Sequence, residues 1–514
     1  MSANELSGSD FGRILSALRQ QPLVLDEIIL TNFRRIEDLT LALSHQYNQQ
    51  DNLTVFIGDN GAGKTTILNA IALSLSWLIA NITKQGKNGS MIKTADINNK
   101  KTAEFASVST CLRLKGIPPC ELNLSKSKDG SPTAKKNTLS EIRLLGDIYR
   151  TANAQDNRFN LPLMAFYPVE RSIETKPQDL NKAKEFVSNT QWSKFDGYKD
   201  ALQSHSNFAL FVSWFRHFDD INNAQNKDDN ALLNEIEKTN AELALLQQLD
   251  PQNQLQDNSI QNLFLAKQEH LETLEKQYNN VQQPPSRILK TVINAIANFM
   301  PDLTHLRIQR LPNFDLLVDK EGEALSVLQL SQGEKTLIAL VGDIARRMVM
   351  LNPSLDNPLT GFGVVLIDEI DLHLHPDWQQ KVVGNLQKTF PNIQFILTTH
   401  SPQVLTTVPA QSIRIIKHDK GKMSVEIPEF SLGAESYVML QELQGVSSRP
   451  QNIKIVQGLT QYQALVRQDL WDSSDALALR TKLDRWAGEH DPVLMKTDMD
   501  IRLRKRRKKL DLEG

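Results

Sequence analysis

Asp368 and Glu369 stand side by side at the end of an apolar run, Val364–Ile367, within GVVLIDEIDLHLH (363–375). An unbroken apolar stretch of this length predicts a strand buried on both faces of a parallel sheet. Such strands deliver their last residues to a ligand crevice. Two adjacent carboxylates there are costly to desolvate unless a cation or a reaction engages them. A second stretch, GDNGAGKT at 58–65, fits G-x-x-x-x-G-K-[ST] and is followed by Thr66. LTVFI (53–57) reads as the strand before it, and an apolar helical run follows. Its glycines let backbone N–H groups curl around phosphates, and the next helix presents its N-terminus to the anion. Asn60, Gly61, Gly63, Lys64, Thr65 and Thr66 are the expected binding set. Lys64 would meet the outer phosphates, and the Thr65 hydroxyl would ligate Mg²⁺. A third stretch, LSQGEKT (330–336), opens another helix with a small polar residue and a glycine, a second anion-binding N-terminus. Ser331 and Glu334 also form a capping box, which by itself would explain their presence.

The elements that position these residues follow from the chain in order. Residues 1–20 read as a short helical or loose leader. Leu23–Leu30 and Leu39–Leu43 read as strands around a polar turn, 31–38. Lys-, Asn-, Ser- and Gly-rich stretches at 84–104 and 124–138 read as surface loops flanking a strand at 105–114. Leu161–Tyr167 is a buried-strand candidate running into Pro168-Val169-Glu170-Arg171-Ser172, either a loop beside the ligand or a plain strand exit. Phe208–Phe218 reads as a core helix. From 225 to 285 the chain turns polar, with Leu232, Ile236, Leu243, Leu246, Leu249 and then Phe264, Leu271, Leu274, Tyr278 and Val281 at seam-like spacings. A break at Asp250-Pro251-Gln252-Asn253 makes this a short antiparallel coiled-coil hairpin, a docking projection or an ordinary helical insertion. Ile288–Phe299 is then a helix, three strands span 306–328, and Leu337–Met350 is helical. Beyond the strands Ile393–Leu397, Ile413–Lys417 and Ser424–Ile427, helices are expected over 435–443, 453–465, 474–487 and 498–509.

Composition excludes several classes. The 514 residues carry a net charge of -2, so no global field points to nucleic acid or membrane. Two cysteines, Cys111 and Cys120, make neither a disulfide framework nor a zinc site alone. No signal pattern opens the chain, and the most apolar window, 67–82, is short for a membrane span. A cytoplasmic location without membrane contact is expected.

The motifs also carry a family likeness. LSQGEKT resembles the signature motif of ABC-type ATPases, with Gln332 where many members have glycine and Glu334 where many have glutamine. GDNGAGKT resembles their Walker A and VVLIDE (364–369) their Walker B. Asp371 falls at their D-loop, and TTHSP (398–402) resembles their switch-histidine segment. LTNFRRIEDL (30–39) and IDEIDLHLHP (367–376) are similar to the soluble SMC-like and overcoming-lysogenization-type members. Arg34 or Arg35 would take the place of the transporters' adenine-stacking aromatic, and YPVER (167–171) that of the lid loop. More narrowly, the size, the modest coiled-coil insertion, AFYPVERSI and the C-terminal helical region resemble the PtuA ATPases of Septu-type and retron-associated antiphage systems.

The resemblance implies an α/β, ABC-type P-loop ATPase head with a mixed sheet, a short antiparallel coiled-coil insertion and a C-terminal helical region. Its parts would be an N-terminal ATPase lobe (1–224), the insertion (225–285), a C-terminal ATPase lobe (286–430) and a helical partner-binding region with a basic tail (431–514). It implies a homodimer, within a higher assembly, sandwiching two ATP with Mg²⁺. Ser331 and Gly333 of one chain would then cap the γ-phosphate held by the other. Asp368 would orient Mg²⁺ with Thr65, Glu369 would activate water, His400 would contact the γ-phosphate, and Asp371 would couple the two sites. His400 as a hydrogen-bonded core histidine is the plainer alternative. His373 and His375 are read as structural rather than metal ligands. Implied partners are an HNH nuclease (PtuB-like) and, in retron versions, a reverse transcriptase with its RNA–DNA product. The region 431–514 lacks the acidic cluster a Toprim nuclease needs, so no nuclease activity is expected in this chain. RLRKRRKK (502–509) is either a nucleic-acid contact or a solvated helix end. The competing function is an SMC-like repair clamp closing on duplex DNA with ATP.

Overall fold

The computed structural model describes residues 8–43, 52–100, 102–132, 135–169, 192–202, 208–249, 258–279, 285–419, 422–445, 447 and 449–513. They form two compact units, 1–433 and 434–514. The first opens with helix α1 (Gly8–Gln20), strands β1 (Val24–Phe33), β2 (Ile36–Ala42) and β3 (Leu53–Gly58), helix α2 (Lys64–Thr83), strands β4 (Phe105–Arg113) and β5 (Cys120–Ser127), helix α3 (Ser140–Gln155) and strand β6 (Leu163–Tyr167). Helices α4 (Phe208–Leu249), α5 (Asn258–Asn279) and α6 (Pro285–Phe299) follow, then strands β7 (Leu303–Gln309), β8 (Asp315–Lys320) and β9 (Glu323–Ser326). The unit closes with helix α7 (Gln332–Leu351), β10 (Gly363–Ile367), α8 (Pro376–Thr389), β11 (Ile393–Thr398), β12 (Ile413–Asp419) and β13 (Lys422–Glu426).

The central sheet has the order β13-β12-β3-β11-β10-β6. Its strands are parallel except β13, which is antiparallel to β12, so the sheet is mixed. All five residues of β6 and of β10 are buried, as all-apolar strands inside a covered sheet must be. The α2 side chains Ile67, Leu68, Ile71, Leu75 and Leu78 are buried with them. By length and composition α2 could cross a membrane, so the short window is not what argues against a span. Instead, 67% of its apolar stretch is buried inside the fold, as in a core helix.

Two antiparallel sheets flank this one, β2-β1-β4-β5 and β7-β8-β9. Gln394 of β11 ties the first to the centre. Its amide donates to Leu25 O (2.9 Å) and accepts from Leu25 N (2.8 Å), beside a register shift in β1. The expected polar turn at 31–38 is mostly strand. The reversal needs only Arg34 and Arg35, with Arg34 in the left-handed region at φ 53°. Its polarity is that of a strand's solvent face rather than of a loop. Likewise β5 occupies the first part of the expected loop at 124–138.

The helical hairpin differs from expectation at its start. The core helix at 208–218 and the polar helix after it are one 42-residue helix, α4, so the boundary at 224/225 falls mid-helix. Lys267 pairs with Glu242 and His270 approaches Glu235, so α4 and α5 run antiparallel. Leu243 and Leu274 are buried, as expected of seam positions. The proposed break at 250–253 lies outside the described residues.

The second unit holds α9 (Ser436–Gln444), followed by α10 (Lys454–Arg467), α11 (Ser474–Trp486) and α12 (Pro492–Glu513), and the last three pack around Leu459, Tyr462, Val466, Trp471, Leu483 and Leu494. The last helix begins before the expected 498. Asp491 accepts from Val493 N (3.0 Å) and Leu494 N (3.1 Å), and Pro492 follows it, a cap-and-proline start.

Candidate nucleotide site

Strands β3, β11 and β10 lie side by side and parallel, so their C-terminal ends reach one edge of the sheet. At that edge β3 gives way to the glycine loop. Gly58 has φ 151°, and a Cβ there would come within 2.4 Å of Ile416 O on β12. Gly61 and Gly63 take φ 81° and 104°, conformations that favour glycine, and Gly63 caps α2. Lys64 folds back over its own loop. Its Nζ donates to Gly58 O (2.8 Å) and Asp59 O (3.1 Å). Burial pushes its ammonium below the ordinary lysine range, against the pull of Asp368, Glu369, Asp59 and Asp371. Asn60 and Thr66 lie in the same loop and first helical turn.

The acidic strand end closes on this loop. Thr65 Oγ1 donates to Asp368 Oδ2 at 2.7 Å, and Thr398 Oγ1 donates to Asp368 Oδ1 at 2.5 Å. The same threonine hydroxyl accepts from Glu369 N at 2.7 Å. Asp368 is buried; Glu369 is half-buried and held at φ 46°. One turn on, Asp371 Oδ1 accepts from Thr399 Oγ1 (2.5 Å) and from His400 N (3.3 Å). The fold thus gathers Lys64, Thr65, Asp368, Glu369, Asp371 and His400 at one edge.

Ser331 and Gly333 are placed by a different set of contacts. Ser331 caps α7, its Oγ 3.3 Å from Glu334 N, and Glu334 returns a bond to Ser331 N (3.0 Å). Lys320 of β8 clamps Glu334 at 2.8 Å. Gly333 is buried against the chain beyond the acidic strand, where a Cβ would lie 2.6 Å from His373 O. His375 caps α8 through Asp377 N (3.4 Å). Among the described residues no three His, Cys, Asp or Glu side chains form a metal-binding group.

Sequence reasoning left three features aside. Thr398 is the hub of the site, and its signal was a hydroxyl ending a buried strand, which needs a partner. Beneath it, Asp368 N donates to Tyr167 O (2.9 Å), and the Tyr167 hydroxyl donates to Asp343 Oδ2 (2.8 Å). Asp343 also binds Arg346 (2.6 Å) and Arg347 (2.7 Å), all buried on α7. Burial alone would raise the Asp343 pKa, but Arg347 and Arg346 outweigh it and hold the carboxyl below the usual range. Third, a cavity of about 380 Å³ is lined by Arg34, Arg35, Glu37, Asn98, Lys100 and His418. Arg35 adjoins the glycine loop, its Nη1 3.5 Å from where a Gly61 Cβ would be. Of the expected lid segment, Glu170 and Arg171 lie outside the described residues.

A strand, a left-handed glycine loop and a helix with a buried lysine at its start, facing a carboxylate on an adjoining strand end, define a P-loop nucleoside triphosphatase. The chain belongs to the AAA ATPase domain family, whose model matches residues 24–405. It is similar to the Retron Ec83 probable ATPase of Escherichia coli, 36% identical over 500 residues, covering 96% of this chain and 90% of that one. It is also similar to the Retron Vc95 probable ATPase of Vibrio cholerae serotype O1 biovar El Tor, 39% identical over 393 residues, 76% of this chain and 73% of that one. Septu protein PtuA of Bacillus mycoides (strain KBAB4) is 52% identical over 73 residues, 14% of this chain and 10% of its own. The chain is therefore an ATPase, and the likeness to retron-associated and Septu ATPases read from its motifs is borne out.

Proposed function

We propose that this ATPase binds ATP with Mg²⁺ at the 58–66 loop and serves an antiphage defence assembly, where it controls a separate HNH nuclease. In a retron setting it would do so together with a reverse transcriptase and its RNA–DNA product. The observation that carries the site reading is the convergence of Thr65 and Thr398 on Asp368. Thr65 Oγ1 and Asp368 Oδ2 are neighbouring hard-oxygen donors, the type Mg²⁺ prefers, so the residues fit that cation. When bound there, Mg²⁺ would offset charge on the phosphate oxygens. Lys64 would exchange its two loop carbonyls for phosphate oxygens and stabilise charge on the transferred group. Glu369, whose backbone is anchored by Thr398, would take the proton of the attacking water. His400, its backbone N–H on Asp371, would contact the γ-phosphate, and Asp371 would tie this site to its twin.

Ser331 and Gly333 would serve a second copy of the chain, capping its γ-phosphate with a helix N-terminus. A homodimer closed by two ATP is the working form under this reading. The antiphage role is supported by similarity to the two retron ATPases over most of the chain.

The deciding experiment uses Glu369→Gln in the full chain with the genes that neighbour its own. ATP binding is expected to persist, phosphate release to slow sharply, and a dimer to accumulate with a nuclease in the same complex. Wild-type phosphate release by Glu369→Gln would refute the base assignment. Tight ATP-dependent binding to duplex DNA with no co-purifying neighbour would instead favour a clamp that closes on DNA.

A further inference from the structure

In the second unit, α12 carries two apolar faces. One is internal. Leu494 and Thr497 are buried, and Ile501 packs on the cluster around Leu459 and Tyr462. Ion pairs key that face in place. Arg480 Nη2 donates to Asp498 Oδ2 at 2.9 Å, and Arg504 reaches Asp469 and Asp500 at 3.0 Å each. The other face is external. Met495, Met499 and Leu503, four residues apart, are 50%, 65% and 52% exposed. That spacing sets them in one narrow row along the helix. Lys496 and Arg502 are exposed too, and at 3.6 residues per turn they lie about 60° to either side of the centre of the row, while exposed Arg506 lies about 20° from it and closes the row at its C-terminal end. The acids of this stretch, Asp498 and Asp500, are engaged by Arg480 and Arg504, so the edges of the row are cationic.

We propose that this row is the docking surface for a helix of a different protein, amphipathic, with an apolar row edged by aspartate and glutamate. The inference rests on reading the chain as one subunit of a multi-protein assembly. The four-residue spacing suits a helix-to-helix seam, and methionine side chains adapt to a partner's shape. The cationic edges select an acidic partner and repel a second copy of the same helix. Nucleic acid suits the edges but not the centre, because phosphates gain nothing from Met495, Met499 and Leu503.

The test places the photo-crosslinker p-benzoylphenylalanine at Met499 in the full chain, expressed with its neighbouring genes, and sequences the crosslinked peptide. The expected product is a segment of another protein with apolar residues three and four apart and acidic edges. Its yield should fall at least tenfold in the double variant Arg502→Glu, Arg506→Glu, and return when the acids of the captured segment are changed to lysine. A second variant, Met495→Asp, breaks the row without touching its basic edge and should also lower the yield. Unchanged ATP turnover and melting temperature in each variant show an intact fold. Capture of nucleic acid alone, lipid alone, a second copy of this chain or a segment without acidic edges would overturn the proposal, as would no capture or indifference to charge reversal. Phage protection is scored in the same cells. Protection without capture sinks the surface and leaves the antiphage role standing; capture without protection does the reverse.

Discussion

The hydroxyl of Thr65 donates to Asp368 Oδ2 across 2.7 Å, although 303 positions separate the two residues in the chain. This bond joins the first turn of the loop helix to the end of the acidic strand. Thr65→Ala removes one oxygen of the pair. Loss of a single supporting group at a metal site typically costs roughly 10–100-fold in affinity or activity. ATP turnover titrated against Mg²⁺ should show a lower maximal rate and a higher half-saturating concentration.

Lys64→Ala should abolish ATP binding, measured by fluorescent-nucleotide titration. The side chain sits buried among Asp368, Glu369, Asp59 and Asp371, so its removal also leaves these carboxylates without their central cation. A variant that still bound nucleotide at the parent affinity would remove Lys64 from the site.

Gly58→Ala places a Cβ 2.4 Å from Ile416 O, at a φ of 151° that side chains disfavour. Forced contacts of this kind cost about 1–3 kcal/mol. A drop in melting temperature together with weaker nucleotide binding is expected, since the same shift moves the loop. Gly384→Ala, on α8 with open space around it, serves as the control and should do neither.

Asp343→Asn breaks a buried cluster and leaves Arg346 and Arg347 without their carboxylate. Loss of one partner of a buried pair costs about 3–5 kcal/mol. The pH dependence has a definite sign. The folded carboxyl lies below the ordinary aspartate range, so its stabilisation is fully present above that range and is lost as pH falls below it toward the folded pKa. Urea unfolding should show a constant gap between parent and variant at neutral and mildly acid pH, narrowing only below the ordinary aspartate range.

What could be read from the sequence was local. Gly58–Thr65 and Val364–Glu369 each carry their own context, a strand on one side and a fixed spacing of glycines or acids, so loop and strand end were visible without a structure. Their meeting was implied only by the family resemblance and not by the residues themselves, because the bond from Thr65 to Asp368 depends on β11 lying between β3 and β10, and on Thr398 bonding to the acid from the middle strand. Arg346 and Arg347 drew no reading beyond the helix that carries them. Charged residues on a helix usually mark a wet face, yet both are buried, because Asp343, one turn earlier, pairs with each and the carbonyls of Gly197 and Lys199 accept from Arg347. The continuity of α4 from its core part at 208–218 into the polar part was hidden by a change in composition at 225 that the helix ignores. Polarity at 31–38 looked like a turn, because a strand with one wet face has the same residue types.

Gln394 has a practical consequence. Its primary amide fills the slot of one residue of a neighbouring strand, meeting both the N–H and the carbonyl of Leu25. A trimmed ATPase fragment beginning at Leu53 would strip both partners from a side chain that is only 2% exposed. Strands β1 and β2, from Val24 to Ala42, therefore belong in any minimal version of this enzyme.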